Sequence, residues 1–338
     1  MQGSKQNVAL RISQTLETII KMNSRRNFLK TAAVGTVGAA ISGNTFASVF
    51  SADEKIKRPI HVFTKCLQFL DYNEMAEVLA RNGFDGADLA VRPGGQVLPE
   101  NVEKDLPKVY KALQKEGIGT NMIVTRISNP SDPALRPTLK TMADLGIQYY
   151  RMGYISFNDN ISIPENLEKH KKTFEKLEKL NKEYGVTGNY QNHSGRRVGG
   201  PVWDLYHLLK DRDPNYIGVQ YDVRHATVEG GMSWPIGMKL LAPWIHTTDI
   251  KDFIWNKNGN GEWKLKNVPL GEGMVDFKTY FELYKNMNIE APVSIHYEYD
   301  LGGAEHGKTE VTMSLSEIET WLKKDITYLK NQFEKYEL

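Results

Sequence analysis

From Arg58 onward, short runs rich in β-branched and aromatic residues alternate with longer segments whose apolar positions recur at a helical period. The runs predict strands at 60–65, 86–91, 120–125, 149–154, 187–192, 217–222, 245–250 and 293–299. Between them lie amphipathic segments such as the one carrying Leu106, Val109, Tyr110 and Leu113. A last one carries Ile318, Trp321, Leu322, Ile326, Leu329 and Phe333. Strands separated by helices give a parallel sheet covered by helices. Eight such units in about 280 residues predict a single-domain α/β (β/α)8 TIM barrel. A doubly wound open sheet is the alternative. It needs a glycine-rich phosphate loop after the first strand, and Thr64-Lys65-Cys66-Leu67-Gln68 has no glycine, so no nucleotide cofactor is expected. No linker divides 58–338. The longest irregular stretch, 252–276, contains Asn258-Gly259-Asn260-Gly261 and follows the seventh strand, where a barrel places active-site loops.

The first 47 residues read differently. Ser24-Arg25-Arg26-Asn27-Phe28-Leu29-Lys30 precedes a short, weakly apolar run and then Gly43-Asn44-Thr45-Phe46-Ala47-Ser48. These are the parts of an export signal, and the paired arginines resemble the twin-arginine type. The expected organisation is a signal over 1–47 cleaved after Ala47, a linker over 48–57 and the barrel over 58–338. Met22, two residues before the signal, is an alternative start. The apolar run is too short to span a bilayer, so membrane contact is expected only during export, with the periplasm as destination.

Removing this leader changes the charge balance. The chain has a formal net charge of +2, but the leader holds six Lys/Arg against Glu17 alone, which leaves the remainder at −3. With 40% hydrophobic and 25% charged residues the chain is a globular protein. A weakly acidic body has no long-range field to gather phosphate backbones, so nucleic acid is not an expected partner. The single cysteine, Cys66, excludes an internal disulfide and a multi-cysteine zinc site.

Polar residues crowd the predicted strand ends, which in a barrel face the catalytic mouth. Strand one ends at Lys65, and strand two runs from Asp88 to Arg92. Strand five ends in Gln191-Asn192-His193, and strand six in Asp222 with His225 following. Strand seven carries His246, Asp249, Lys251 and Asp252, and strand eight carries His296 and Glu298. Alternation places Gln191, Asp222, Asp249 and His296 on inward positions of successive strands, where polar groups need partners or a metal.

These segments resemble the xylose isomerase-like TIM-barrel family, the sugar isomerase and epimerase superfamily, over about residues 58–335. The family pattern is a Glu-Asn-His on strand five, an Asp and a following His on strand six, a His-x-Lys-Asp on strand seven and a Glu on strand eight. Here Gln191-Asn192-His193, Asp222 with His225, Asp249-Ile250-Lys251-Asp252 and His296 stand in those places. The family's four residues hold one divalent metal. Three of the four ligand types are exchanged here and only Asp222 is kept. The two carboxylates, one imidazole and one amide oxygen of Gln191, Asp222, Asp249 and His296 can still hold a single Mn²⁺, Zn²⁺ or Mg²⁺. Longer matches (Asp88 to Gly95, Asp222 to Gly231, Pro269 to Phe277 and His296 to Gly303) resemble an exported branch of the superfamily related to enzymes that cleave 3-keto-glycosides.

The chemistry that the resemblance implies is removal of a carbon-bound proton beside a sugar carbonyl, leading to isomerisation, epimerisation or elimination. Glu298 and His193 are the candidate bases. Lys65 and Lys251 are the candidate cations for the enolate oxygen. Arg92, His225, His246 and Trp263 are candidate contacts for a small carbohydrate, the indole by stacking. A non-catalytic sugar-binding barrel that has lost its metal site is the alternative, and the exchanges at Gln191, Asp249 and His296 are what it predicts.

Overall fold

In the computed structural model the described residues are 58–338, so the expected signal, cleavage site and linker lie outside them. Strands β1 (Ile60–Phe63), β2 (Gly86–Ala90), β3 (Gly119–Val124), β4 (Tyr149–Arg151), β5 (Thr187–Gln191), β6 (Ile217–Asp222) and β7 (Ile245–Ile250) pair in sequence order, all parallel. A separate antiparallel hairpin follows, β8 (Asp252–Lys257) with β9 (Trp263–Val268). The last strand, β10 (Val293–Ile295), pairs with β7 and β1 and closes the barrel.

The helices are α1 (Tyr72–Asn82), α2 (Val102–Lys115), α3 (Leu135–Leu145), α4 (Ile163–Tyr184), α5 (Val202–Leu209), α6 (Val223–Gly230), α7 (Trp234–Leu241), α8 (Phe277–Asn286) and α9 (Leu315–Tyr336). Their boundaries are written locally. Asp71 caps α1 by accepting from the Asn73 and Glu74 amides, and Gly83 ends it at φ 82°. Ser314 and Glu317 form a capping box on α9, whose Ile318, Leu322, Ile326, Leu329 and Phe333 are all buried. The main apolar core lies between these helix faces and the outward side of the strands. Phe63, Ala90 and Val124 form a second, small cluster apart from it. Most other inward positions, among them Asp88, Arg151, Gln191, Asp222 and Asp249, are polar and buried, and that polar filling is what makes a site possible.

Two differences from the sequence reading have plain causes. Strand β4 stops at Arg151 because the Gly153 amide turns to the carbonyl of Ile127 in the loop after β3. The stretch expected to be irregular holds the β8–β9 hairpin. The Asn258 side chain accepts from the amides of Asn260 and Glu262, and Gly261 sits at φ 78°, which closes the turn. The Asp252 carboxylate then accepts from the amides of Gly271, Gly273 and Val275 and ties the returning chain to the end of β7. A Cβ at position 273 would meet Asp252 Oδ1 at 2.1 Å, so only glycine fits there.

Candidate active site

At the carboxyl end of the barrel a cleft of about 510 Å³ is lined by Phe63, Lys65, Arg92, Thr125, Arg126, Arg151, Gly153, Tyr154, Ser156, His193, Arg197 and Glu298. Four residues singled out in the sequence are there: Lys65, Arg92, His193 and Glu298. Glu298 is 23% exposed, with Oε1 3.2 Å from Lys251 Nζ and 3.8 Å from Lys65 Nζ. Burial raises the Glu298 pKa, but Lys251 and Lys65 outweigh it and hold the carboxyl well below its ordinary range. Lys65 is shifted downward, by burial first and then by Lys251 and Arg92. His193 is pushed down to about 4, again by burial first and then by Lys251, so it is a neutral imidazole. Its Nδ1 lies 2.8 Å from the carbonyl of Ser194; with the proton on that nitrogen, Nε2 carries the lone pair.

Lys251 does not line the cleft. It is 3% exposed, with Nζ 3.1 Å from Asp222 Oδ2 and 3.0 Å from His225 Nε2. Burial lowers its pKa, yet Asp222 and Glu298 together raise it above the ordinary value. Lys251 is therefore a fixed internal cation that sets the state of Glu298 from behind. His225, expected to contact substrate, is buried behind the same ammonium.

Gln191, Asp222, Asp249 and His296 do meet at the barrel axis, but not as one ligand set. The Gln191 oxygen accepts from Arg151 (2.9 Å) and from the Tyr154 hydroxyl. Its nitrogen donates to Asp222 (2.9 Å) and Asp249 (2.5 Å). An amide facing two carboxylates with its N–H groups is placed as a donor and not as a metal ligand, which corrects its expected role. Asp222 is likewise committed, to Lys251 and to the His225 amide at 2.9 Å.

Asp249 and His296 instead join Asp88, a residue the sequence reading placed only within a motif. One donor atom from each of the three lies within 4.8 Å of the others, and all three side chains are buried. His296 Nε2 is 3.0 Å from Asp249 and 3.6 Å from Asp88. Yet neither His296 ring nitrogen makes a hydrogen bond of acceptable geometry, and Asp88 Oδ1 has no partner. Orphaned polar atoms of this kind are costly in a protein interior. Asp249 already accepts from Gln191 and, at 2.7 Å, from Gln220, so the unmet atoms belong to Asp88 and His296. Two carboxylates and a neutral imidazole are nevertheless a donor set that fits a divalent ion. The Phe63 ring, 4.8 Å from the His296 ring, also lines the cleft, so the triad sits beneath it.

Two further expectations fail on position. Trp263 is 62% exposed on the hairpin, its ring under the Lys257 ammonium at 5.1 Å, away from the cleft. His246 lies at the opposite, amino end of the barrel. A bulge where β6 meets β7 turns it across Gly218 to the Asn189 side chain at 2.9 Å. A Cβ on residue 218 would come within 2.4 Å of the imidazole. His246 is pushed down to about 4 by burial. Unfolded, it takes its proton near pH 6.5; folded, only near pH 4. Its contribution to stability is thus present above pH 6.5 and lost as pH falls toward 4. His246→Gln should flatten the fall of unfolding free energy between pH 6 and 4.5 by about 1 kcal/mol per pH unit. Urea titrations at several pH values measure this, and parallel slopes would contradict it.

The sequence reading missed Phe63, Arg126, Arg151, Tyr154 and Arg197 as mouth residues. A signal was present for Arg151: an arginine in the middle of a predicted strand has no cheap place to go except a lumen.

A closed eight-stranded parallel barrel with its polar groups gathered at the carboxyl end is the architecture of the TIM-barrel proteins. The model of the xylose isomerase-like TIM barrel family matches residues 76–332, and the chain belongs to that family. Residues 22–42 match the twin-arginine translocation signal; the protein is exported by that pathway to the periplasm. Among the described residues no helix is long and apolar enough to cross a membrane. No curated protein matches the chain in sequence. Several solved structures share the fold. The 3-keto-D-glucoside 4-epimerase of E. coli aligns at 12% identity with TM-score 0.59, over 81% of this chain and 100% of that one. D-psicose 3-epimerase of Clostridium cellulolyticum H10, solved with D-tagatose, aligns at 12% identity with TM-score 0.60, over 81% and 98%. The IOLI protein with a bound zinc atom aligns at 16% identity with TM-score 0.61, over 82% and 99%.

Proposed function

We propose that the protein is an exported enzyme of the sugar isomerase and epimerase type, which takes a proton from the carbon beside a sugar carbonyl. The observation that carries this reading is the position of the Glu298 carboxylate, 3.8 Å from the Lys65 ammonium at a cleft shared with a neutral His193. Glu298 accepts the carbon-bound proton, and the electron pair moves into the carbonyl to leave an enolate. Lys65 holds the enolate oxygen. His193, whose Nε2 can accept or return a proton, serves the second transfer. Return to the opposite face of the same carbon is epimerisation; return to the former carbonyl carbon, with the neighbouring hydroxyl proton passed to the enolate oxygen so that the carbonyl moves over, is isomerisation. Expulsion of a β-substituent, as from a 3-keto-glycoside, is elimination. The fold shared with an epimerase of keto-glucosides supports a keto-sugar as substrate.

Asp88, Asp249 and His296 are the residues that would hold a divalent ion, Mn²⁺, Zn²⁺ or Mg²⁺, which supplies a fixed positive charge under the mouth. Elemental analysis of the purified protein decides which metal is carried. The signal is proposed to end near Ala47, with the mature chain beginning in the linker before Arg58.

A second reading, a sugar-binding barrel without catalysis, is favoured by one observation: the Gln191 amide is bonded to both Asp222 and Asp249, where a ligand would otherwise face a metal. Incubation with keto-sugars in D₂O separates the two. Deuterium should enter beside the carbonyl, or the aglycone should be released. A broad panel of keto-sugars and glycosides showing neither outcome, with each metal supplied, replaces the enzyme reading with the binding one.

A further inference from the structure

The cleft is far more cationic than proton abstraction from a neutral sugar requires. Lys65, Arg92, Arg126, Arg151 and Arg197 line it against Glu298 alone, on a body whose net charge without the leader is −3. Three of these cations crowd one ring. Lys65 Nζ, Arg92 Cζ and Arg151 Cζ lie 5.7, 5.1 and 5.6 Å from the Phe63 centroid. Arg151 and Arg197 lie 5.2 and 4.6 Å from the Tyr154 centroid. Among the described residues no acidic side chain pairs with any of the four arginines, whereas Lys65 is shared with Glu298.

The hydrogen-bonding capacity is also unspent. Arg151 is 5% exposed and gives one Nη1 bond, to Gln191, while its Nε has no partner. The Nε of Arg92 is buried and unpartnered too. Arg92 is shifted down to about 10, by burial first and then by Arg151 and Arg126. Unpaired guanidinium groups gathered at a partly desolvated mouth repel one another, and a bound oxyanion relieves both the repulsion and the unmet donors. The planar fork of arginine suits a carboxylate or phosphate and is wasted on a hydroxyl.

Resting on the reading that this cleft is the active site, we propose that the substrate is a sugar acid whose carboxylate is clamped by Arg92, Arg126 and Arg151. Arg197 completes the clamp over Tyr154, and the reacting carbon is left at Glu298 and Lys65. A carboxylate is preferred to a phosphate because the protein works in the periplasm and sugar phosphates are mainly cytoplasmic. Arg126 and Arg197 stand at the open rim, so their replacement tests the clamp without removing a buried charge.

The experiment is equilibrium binding by calorimetry of galacturonate, galactose and galactose 6-phosphate to the mature protein, in low and in physiological salt. The acid should bind at least about tenfold tighter than galactose, the size of one charge-assisted hydrogen bond. The preference should shrink as salt rises. Arg126→Gln and Arg197→Gln should each reduce the acid-to-neutral affinity ratio several-fold, and Arg126→Lys should restore part of it. Equal affinities for the acid and galactose overturn the proposal, as do arginine variants that leave the ratio unchanged. Tighter binding of the phosphate than of the acid overturns the carboxylate assignment. Deuterium exchange in neutral keto-sugars without any preference for acids would sink this inference and leave the proton-abstraction reading standing. Acid-selective binding without exchange in any keto-sugar or keto-acid would do the reverse.

Discussion

Glu298→Gln should lower turnover by about 10²–10⁴-fold while leaving the fold intact, the range expected when one general base is removed. The amide keeps the size of the side chain and can still accept from Lys251 and Lys65, which lie 3.2 and 3.8 Å from Oε1. What is lost is the lone pair able to take a carbon-bound proton. Because the change falls on a chemical step, kcat should carry the loss and KM should move little. Glu298→Asp should fall between the two, since it retains the base and withdraws it by one methylene. Turnover is read as deuterium incorporation beside the carbonyl, with circular dichroism as the check on folding. An unaltered exchange rate would remove Glu298 from the reaction and pass the role to His193. His193→Gln is then the variant that should abolish exchange.

The barrel was legible because its strands are short, apolar on the outward side and separated by helices with clear apolar stripes. All eight barrel strands fall within a residue or so of their expected starts. The alternation that put Gln191, Asp222, Asp249 and His296 inward also held, since these side chains meet across the lumen. What alternation does not give is depth along the barrel axis or which neighbour a side chain turns to. His246 shares a strand with Asp249 but sits three residues earlier and is displaced by a bulge, so it reaches the opposite end. Lys251 and His225 are close to the mouth in sequence and yet lie beneath it, because Asp222 and Glu298 draw the ammonium inward. The arginines of the cleft come from β4 and from loops, where no periodicity marks direction. The hairpin at 252–268 was masked by its Asn-Gly-Asn-Gly turn, although the apolar alternation of Phe253, Trp255, Trp263 and Leu265 was there to be read.

Lys251→Met should cost the folded state about 3–5 kcal/mol, the price of removing one partner from a buried ion cluster. The ammonium is 3% exposed and stands between the Asp222 and Glu298 carboxylates, at 3.1 and 3.2 Å. Methionine fills the same volume but leaves Asp222, which is fully buried, without its only cationic neighbour within 3.5 Å among the described residues. The remaining donors to Asp222, the Gln191 amide and the His225 backbone N–H, are neutral and cannot replace a full charge. The melting midpoint should therefore fall by roughly 5–15 °C. Adding Asp222→Asn to Lys251→Met removes the stranded charge and should recover part of the loss, so the double variant should be more stable than the single one. Calorimetric scans of the three proteins measure this. If Lys251→Met melts with the parent protein, the ammonium is not holding the two carboxylates together.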